Sequence, residues 1–485
     1  MKLSMIFVVA VLLSSCNEPS TSPHSNDIVT VNLFRWDLTV TGSDMISRFI
    51  EDEFGLRFDI ESPAWDEWPD LLSLRAAAGA LPDVFVGYGP MAGPAYRQWI
   101  DEGLLLPINE FLDDYPNLQS FLERYGHQQV NGFWYSVPVE DVTDHVLMLR
   151  EDWLDELGLE IPETIEELRT VAEAMRDAYG VTPLTSSAPH TAGFFWLNAF
   201  FYAHGSRWSD WVWSDNQEQW IPSWISSGSR NALETLREFY RDGLLDPDFL
   251  TNSDARKREL FTTGQTGIVF HNDVGAYIHE LTQRNPNARI AIEPPPAGPN
   301  VQGMWGIDGY FSAVMFRSDI APDKRDAVLA FLDYLHSEEG EELFHIGIEN
   351  THFSRTGEGI EPTNEPLVDS APHAQLRTLR ALEWKWVPPW DPHAEEIARS
   401  VAIGREHGNP PRFENVITEA GADYEAQLLD LVYAWYPRMV TSDQPIDTIW
   451  SEFVELYIAN GGRELVEEMN AHPDVVSRAG GTDGR

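Results

Sequence analysis

The chain has 485 residues, 43% hydrophobic and 12% aromatic, and a formal net charge of −45 at pH 7. That length allows about three domains or one large two-lobed α/β protein, with ample apolar content for folded cores. So acidic a chain repels nucleic acid and anionic lipid, which excludes both as partners and suits solubility in a salty or alkaline exterior.

The N-terminus, MKLSMIFVVAVLLSSC, carries one positive residue, Lys2, then an apolar run from Leu3 to Leu13 and small residues before Cys16. The run is too short to span a bilayer and reads as a secretory signal. Leu13-Ser14-Ser15-Cys16 resembles a lipobox, which implies cleavage after residue 15 and acylation of Cys16. Cys16 is the only cysteine, so disulfides and cysteine metal clusters are excluded together. The polar, Pro/Ser-rich segment 17–27 suits a flexible tether.

Val29 to Trp36 reads as a first strand, Ser43 to Phe54 as a helix, Leu56 to Ile60 as a strand, Pro69 to Ala80 as a helix and Pro82 to Val86 as a buried strand. Strand, helix and strand in alternation imply a parallel sheet. Ligands of such sheets sit beyond the carboxyl ends of the strands, which marks Trp36, Asp37 and the loop beginning Gly87-Tyr88 as site candidates. Gly87 to Ala92 imitates a dinucleotide fingerprint only superficially, because Pro90 interrupts it and the acidic partner residue is missing.

His145 to Leu149 reads as a strand, Glu151 to Leu157 as a helix stopped at Gly158, and Ile165 to about Arg176 as a second helix. Thr164 with Glu167 three residues on has the form of a capping box. Phe194 to Ala203 and Ser229 to Arg241 read as helices, Trp211 to Ile221 as an exposed hairpin around Ser214-Asp215-Asn216, and Gly267 to Phe270 as a buried strand. Pro294 to Pro299 is the strongest breaker in the chain. Helices are expected at Lys324 to His336, Ala374 to Trp384, Pro392 to Arg405, Asn415 to Val432 and Asp447 to Asn460, the last ending at Gly461-Gly462.

There is no G-x-S-x-G elbow, H-E-x-x-H pair or Walker-type lysine loop. What the chain has in excess is tryptophan, 18 residues, many beside acids or amides. Sugar rings offer apolar C–H faces and polar edges, so their sites need flat aromatics with Asp, Asn, Arg or Glu in the ring plane. Trp36 with Asp37, Trp65, Trp196, Trp305 with Asp308, Trp386 and Trp390 have such surroundings, and Asn272 and Asp273 follow a buried strand where a ligand hydroxyl could reach. Trp211, Trp213 and Trp220 are read as packing residues.

YSVP followed by LMLREDWLDELGLEIPETIEELRTV resembles the interlobe crossing of extracellular solute-binding proteins of ABC importers, the large LplA-like oligosaccharide-binding lipoproteins in particular. LLSLRAAAGALPDVF, YRDGLLDPDFLT, FTTGQTGIVFHN and LDYLHSEEGEELFHIGIENTHF agree in order. The resemblance implies a type II periplasmic-binding-protein fold: two α/β lobes, each a mixed sheet flanked by helices, with a hinge between. Lobe 1 is expected at 28–142 with 303–362 and lobe 2 at 143–302 with 363–485, with crossings near Pro138 to His145, Pro294 to Gly303 and Arg355 to Pro366. It implies a monomer held outside the cytoplasm, touching the membrane only through its lipid, that delivers an oligosaccharide to the two membrane subunits of an ATP-driven permease without covalent chemistry. Relatives often carry a D-x-D-x-D-G calcium loop after the capped helix; RDAYGVTPLTS stands there, so neither a structural calcium nor any cofactor is expected. A lipid-anchored glycoside hydrolase or lyase is the alternative, and a surface adhesin with an exposed aromatic patch a third reading.

Overall fold

The computed structural model describes residues 28–36, 45–64, 67–88, 94–123, 129–140, 145–188, 193–299, 301–306, 312–357, 359–363, 390–413, 416 and 418–479. Two sheets, each with its own core, organise the chain. Strands β1 (Val29–Phe34), β2 (Leu56–Glu61) and β3 (Val84–Tyr88) are parallel, as their alternation with helices α1 (Met45–Phe54) and α2 (Trp68–Ala77) requires. Strand β4 (Ser136–Glu140) closes the sheet, separated from β3 by an antiparallel strand from far along the chain, Ser312–Phe316, giving a mixed five-stranded sheet. Its core gathers Val31, Leu33, Val84, Phe85, Val314, Phe331 and Leu332.

The second sheet is smaller. Strand β5 (Val146–Arg150), buried along its whole length, is flanked antiparallel by Ile268–His271 and Ile290–Glu293. Single parallel bridges from Leu184 to Ile268 and to Leu245 extend its edge and make it mixed. Fifteen-residue helices at Ile165–Tyr179 and Ser227–Arg241 pack on this core together with the helix Glu419–Thr441.

The capping box is present: Thr164 Oγ1 accepts from Glu167 N–H at 3.2 Å and Glu167 Oε2 accepts from Thr164 N–H at 3.1 Å. The helix runs nearly a turn beyond Arg176, to Tyr179, before Gly180 ends it at φ 66°. Thr164→Ala removes one satisfied N–H, and the expected loss is about 1 kcal/mol in urea denaturation.

Several expectations are corrected. The tryptophan hairpin, Trp211–Ser214 with Gln219–Pro222, is covered: Trp220 is 1% exposed against Phe413, Met469 and Val475, and Asn470 bonds its backbone on both sides. Gly461-Gly462 does break the helix that begins at Ile446, as expected, but that helix is not the last. With Gly461 at φ 106° the chain bends beneath Tyr424 and continues as a helix at Arg463–Ala471. The segment from Arg355 first completes an antiparallel hairpin, Phe353–Thr356 with Gly359–Pro362. The helix expected at Ala374 to Trp384 lies outside the described residues.

At the amino edge of the first sheet, Asp83 is buried. It accepts from Asn32 N–H (3.1 Å), Lys324 Nζ (2.7 Å) and Arg317 Nη2 (3.3 Å), tying β1, β3, the inserted strand and the helix Pro322–Leu335 together. Burial alone would raise its carboxyl; Lys324, the Asn32 amide and Arg317 outweigh that and hold it below the usual carboxylate range. A depressed folded pKa stabilises above the unfolded value and loses that contribution as pH falls through the folded one. Because both cations are about a third exposed, Asp83→Asn is expected to cost only about 1–2 kcal/mol at pH 7. Parallel melts of both proteins should converge as pH falls below about 4.

Candidate functional site

The topology brings one edge of each sheet together. In the first sheet, the carboxyl ends of β1 and β3 share an edge with Ser312, which pairs with both Tyr88 and Glu140. In the second, the start of β5 lies beside the ends of its neighbours: Val146 pairs with His271 and Leu147 with Glu293. Only residues 141–144 separate Glu140 from His145, so these edges can stand no more than about 18 Å apart. The space between them is the candidate site.

On the first edge, Trp36 is 8% exposed, its ring 4.4 Å from that of Trp68, whose Nε1 donates to Val86 O at 3.0 Å. The Arg35 guanidinium lies 5.2 Å from the Trp36 ring centre. Trp36 is thus mostly a core residue at the rim, not the open platform its neighbours in sequence suggest. Tyr88 ends β3 at the same edge. Asp37, Trp65, Asp308, Trp386 and Cys16 lie outside the described residues.

On the second edge an aromatic wall forms. His145 is buried edge-on against Phe195 and Trp196, at 5.0 and 4.8 Å between ring centres, with Trp305 5.2 Å from Phe195. Trp305 is the partly exposed indole of this group. Its position is fixed from behind: fully buried Asn198 accepts from Trp305 N–H at 2.9 Å, and Trp305 pairs with Asn409 in a short parallel bridge. Met304 and Trp305 pack with the second core, while Ser312–Phe316 belongs to the first sheet.

Trp196 is only 8% exposed because charged and aromatic neighbours cover it. His271 stacks on it at 4.1 Å and 21°, and Lys257 Nζ sits 3.9 Å from its ring centre. It therefore supports the wall and does not offer an open sugar platform. Lys257 is wholly covered, with its ammonium 3.0 Å from Asp254 Oδ1 in the first turn of the helix Asp254–Thr262. Burial would raise the Asp254 carboxyl, but Lys257, His271 and Ser187 hold it far below the usual range. His271 Nδ1 accepts from Asp273 N–H at 2.8 Å, which places the proton of the neutral ring on Nε2, facing Asp254 at 3.8 Å. Burial and then Lys257 push the His271 pKa down to about 4, so the ring is neutral at ordinary pH.

Asp273 caps the helix Val274–Arg284 through Ala276 N–H, and both it and Asn272 remain partly exposed at the edge. Trp390 is not brought beside Trp305. Its neighbour Asp391 binds His279 Nε2 at 3.0 Å, and the helix Ala394–His407 separates it from Asn409 by about 20 Å. Among the described residues no cluster of three or more His, Cys, Asp or Glu could hold a metal. His145, Phe195, Asp254 and Lys257 were missed as wall residues in the sequence; Lys257, one of four lysines and three residues after an acid, was the available signal.

The profile of the family described as bacterial extracellular solute-binding protein matches residues 43–342, well over half of the chain. The polygalacturonan/rhamnogalacturonan-binding protein YtcQ of Bacillus subtilis (strain 168) is 23% identical over 431 residues, 82% of each chain. Among solved structures, the alginate-binding protein AlgQ2 without calcium ion superposes with a TM-score of 0.70 at 18% identity, over 93% of this chain and 99% of that one. The S. pneumoniae ABC-transporter substrate-binding protein FusA in complex with kestose gives 0.68 at 17%, over the same shares. The fold is accordingly that of two-lobed periplasmic binding proteins, and the chain belongs to the bacterial extracellular solute-binding protein family.

Proposed function

We propose that this protein captures an oligosaccharide between the two sheet edges and delivers it to an ABC permease, as a monomer tethered outside the cytoplasm through an acylated Cys16. The observation that carries the reading is the Trp305 wall: a partly exposed indole, its backbone fixed by buried Asn198 and its ring backed by Phe195, His145 and Trp196, on the same edge as the polar groups of Asn272 and Asp273. A pyranose or furanose ring would lay its C–H face on the indole and present its hydroxyls to these groups. The edge of the first sheet where β1 and β3 end would meet its other side. Ligand touching both edges favours a closed arrangement of the lobes, taken as 28–142 with 303–362 and 143–302 with 363–485 except that Met304 and Trp305 side with the second, through its greater affinity for that state. Relatives named for polygalacturonan, fructooligosaccharide, and melibiose, raffinose and stachyose support a saccharide cargo.

An enzyme here would need a carboxylic acid with a raised pKa flanking the scissile bond. Asp254 is held ionised. Glu293, at the same edge, is pushed up by burial, yet its carboxylate is bound 2.7 Å from Arg399 Nη2. The test is tryptophan fluorescence with thermal melting of the chain from Asn17 onward, titrated with plant and bacterial oligosaccharides. A saturable change, a raised melting temperature and intact sugar recovered afterwards are expected. Shortened or unsaturated sugar would replace this reading with the hydrolase or lyase.

A further inference from the structure

We infer that Arg207, in the loop that leads into the hairpin strand Trp211–Ser214, is a positioning residue that sets saccharide affinity through Asn409. This rests on the saccharide reading above, which makes Trp305 the stacking surface, and adds what holds that surface in place. In Gly303-Met304-Trp305-Gly306 three residues are buried and Trp305 alone is partly exposed. The segment lies flush against Gly408-Asn409: Met304 pairs with Gly408 and Trp305 with Asn409, and Gly306 N–H donates to Asn409 O at 3.2 Å. The close approach requires both flanking glycines. A Cβ on Gly306 would stand 2.8 Å from Asn409 N and 2.9 Å from Gly408 Cα, backbone atoms that cannot rotate away, and one on Gly303 would stand 2.4 Å from Asn409 Nδ2.

Asn409 is the centre of this clamp. Its Nδ2 donates to His407 O at 2.8 Å and to Met304 O at 3.4 Å, and its carbonyl also accepts from the Tyr202 hydroxyl at 3.4 Å. Its Oδ1 accepts from Arg207 Nη1 at 3.4 Å, while Nη2 of the same guanidinium makes the short bond, 2.6 Å, to Pro410 O. Arg207 Nε is paired with Asp210, whose side chain is 2% exposed and whose other oxygen accepts from Arg412 N–H at 3.0 Å. Asp210 is tied in turn to the far end of the hairpin, since Ser223 N–H donates to its carbonyl at 2.8 Å. One planar cation therefore spans three acceptors on two pieces of chain, 207–210 and 409–412, which the fork of a guanidinium can do and a single ammonium cannot. Arg207 fixes Asn409 and Pro410, Asn409 fixes the backbone on either side of Trp305, and that backbone aims the indole. A binding surface works only when held to within about 0.5 Å, so a support that lies behind the wall governs affinity.

The experiment is a double-mutant cycle read by calorimetry on the chain from Asn17 onward. Raffinose, stachyose, kestose, maltotetraose, xylotetraose and tetragalacturonate are titrated in turn, and the tightest binder is carried through the cycle. Arg207→Lys keeps a cation beside Asp210 but cannot also span Asn409 and Pro410. Asn409→Ala keeps the backbone bridge but releases Arg207 and Met304 O. Gly306→Ala parts the two backbones without touching Arg207. Each is expected to raise Kd about 10-fold with Trp305 present and less than about 2-fold in the Trp305→Ala background, because all three act through that indole. A merely structural role would weaken binding equally in both backgrounds. That outcome, or an unchanged Kd in the three variants while Trp305→Ala binds weakly, overturns the inference and leaves the saccharide reading standing. Trp305→Ala binding as tightly as wild type, or failure of every saccharide to bind, overturns both.

Discussion

Trp305→Ala is expected to raise the Kd for the cognate oligosaccharide about 50-fold, the effect of removing one well-packed aromatic anchor from a binding site. The stability change should be smaller than the affinity change, because the indole is partly exposed at the rim of the core and the backbone N–H that binds Asn198 stays in place. Trp305→Phe keeps a flat ring and should recover most of the affinity. Calorimetry of the three proteins, with thermal melts alongside, separates lost stacking from lost folding: a Kd unchanged in Trp305→Ala would remove Trp305 from the site. Asn198→Ala removes the bond that holds the Trp305 backbone, and because the Asn198 side chain is buried its melt should fall as well.

The largest expected stability effect is at Asp254. Asp254→Ala leaves the Lys257 ammonium covered and without its carboxylate, and such uncompensated burial costs about 3–5 kcal/mol. Lys257→Met on top of it removes the stranded charge and should restore most of the loss, since buried ion pairs are often replaceable by apolar groups. The sign with pH follows from the depressed Asp254 carboxyl: its contribution is present above about pH 4 and disappears as pH falls toward its folded value. Urea denaturation of the single and double variants at pH 7 and at about pH 2 checks both statements. Equal stability of Asp254→Ala and wild type at pH 7 would mean that the pair is not closed in solution.

How much of this could be read in advance depended on the range of the interactions. The capping box at Thr164 and Glu167, the stop at Gly158 and the parallel order of Val29, Leu56 and Val84 are set within a few residues or by alternating strands and helices, and they were legible. The antiparallel strand Ser312–Phe316 was not, because its partners lie more than 170 residues away at Ser136–Glu140 and Val84–Tyr88. Tryptophan content pointed toward flat binding surfaces but could not say which way any indole faced. Trp36 packs on Trp68, Trp196 lies under Lys257 and His271, and Trp220 is sealed by Phe413; of the wall's two indoles, Trp305 is the one that keeps a partly exposed ring. The Asp254, Lys257 and His271 group was invisible in sequence because its members come from a helix and the end of a strand that only tertiary packing brings together.

The central claim is that this chain holds a saccharide without altering it. Native mass spectrometry of the chain from Asn17 onward, incubated with a mixture of plant and bacterial oligosaccharides and then released and weighed, tests it most directly. One ligand per chain, recovered at its starting mass and absent from Trp305→Ala, is the predicted result. Ligand recovered shortened, dehydrated or joined to the protein, or occupancy unaffected by Trp305→Ala, would contradict the account.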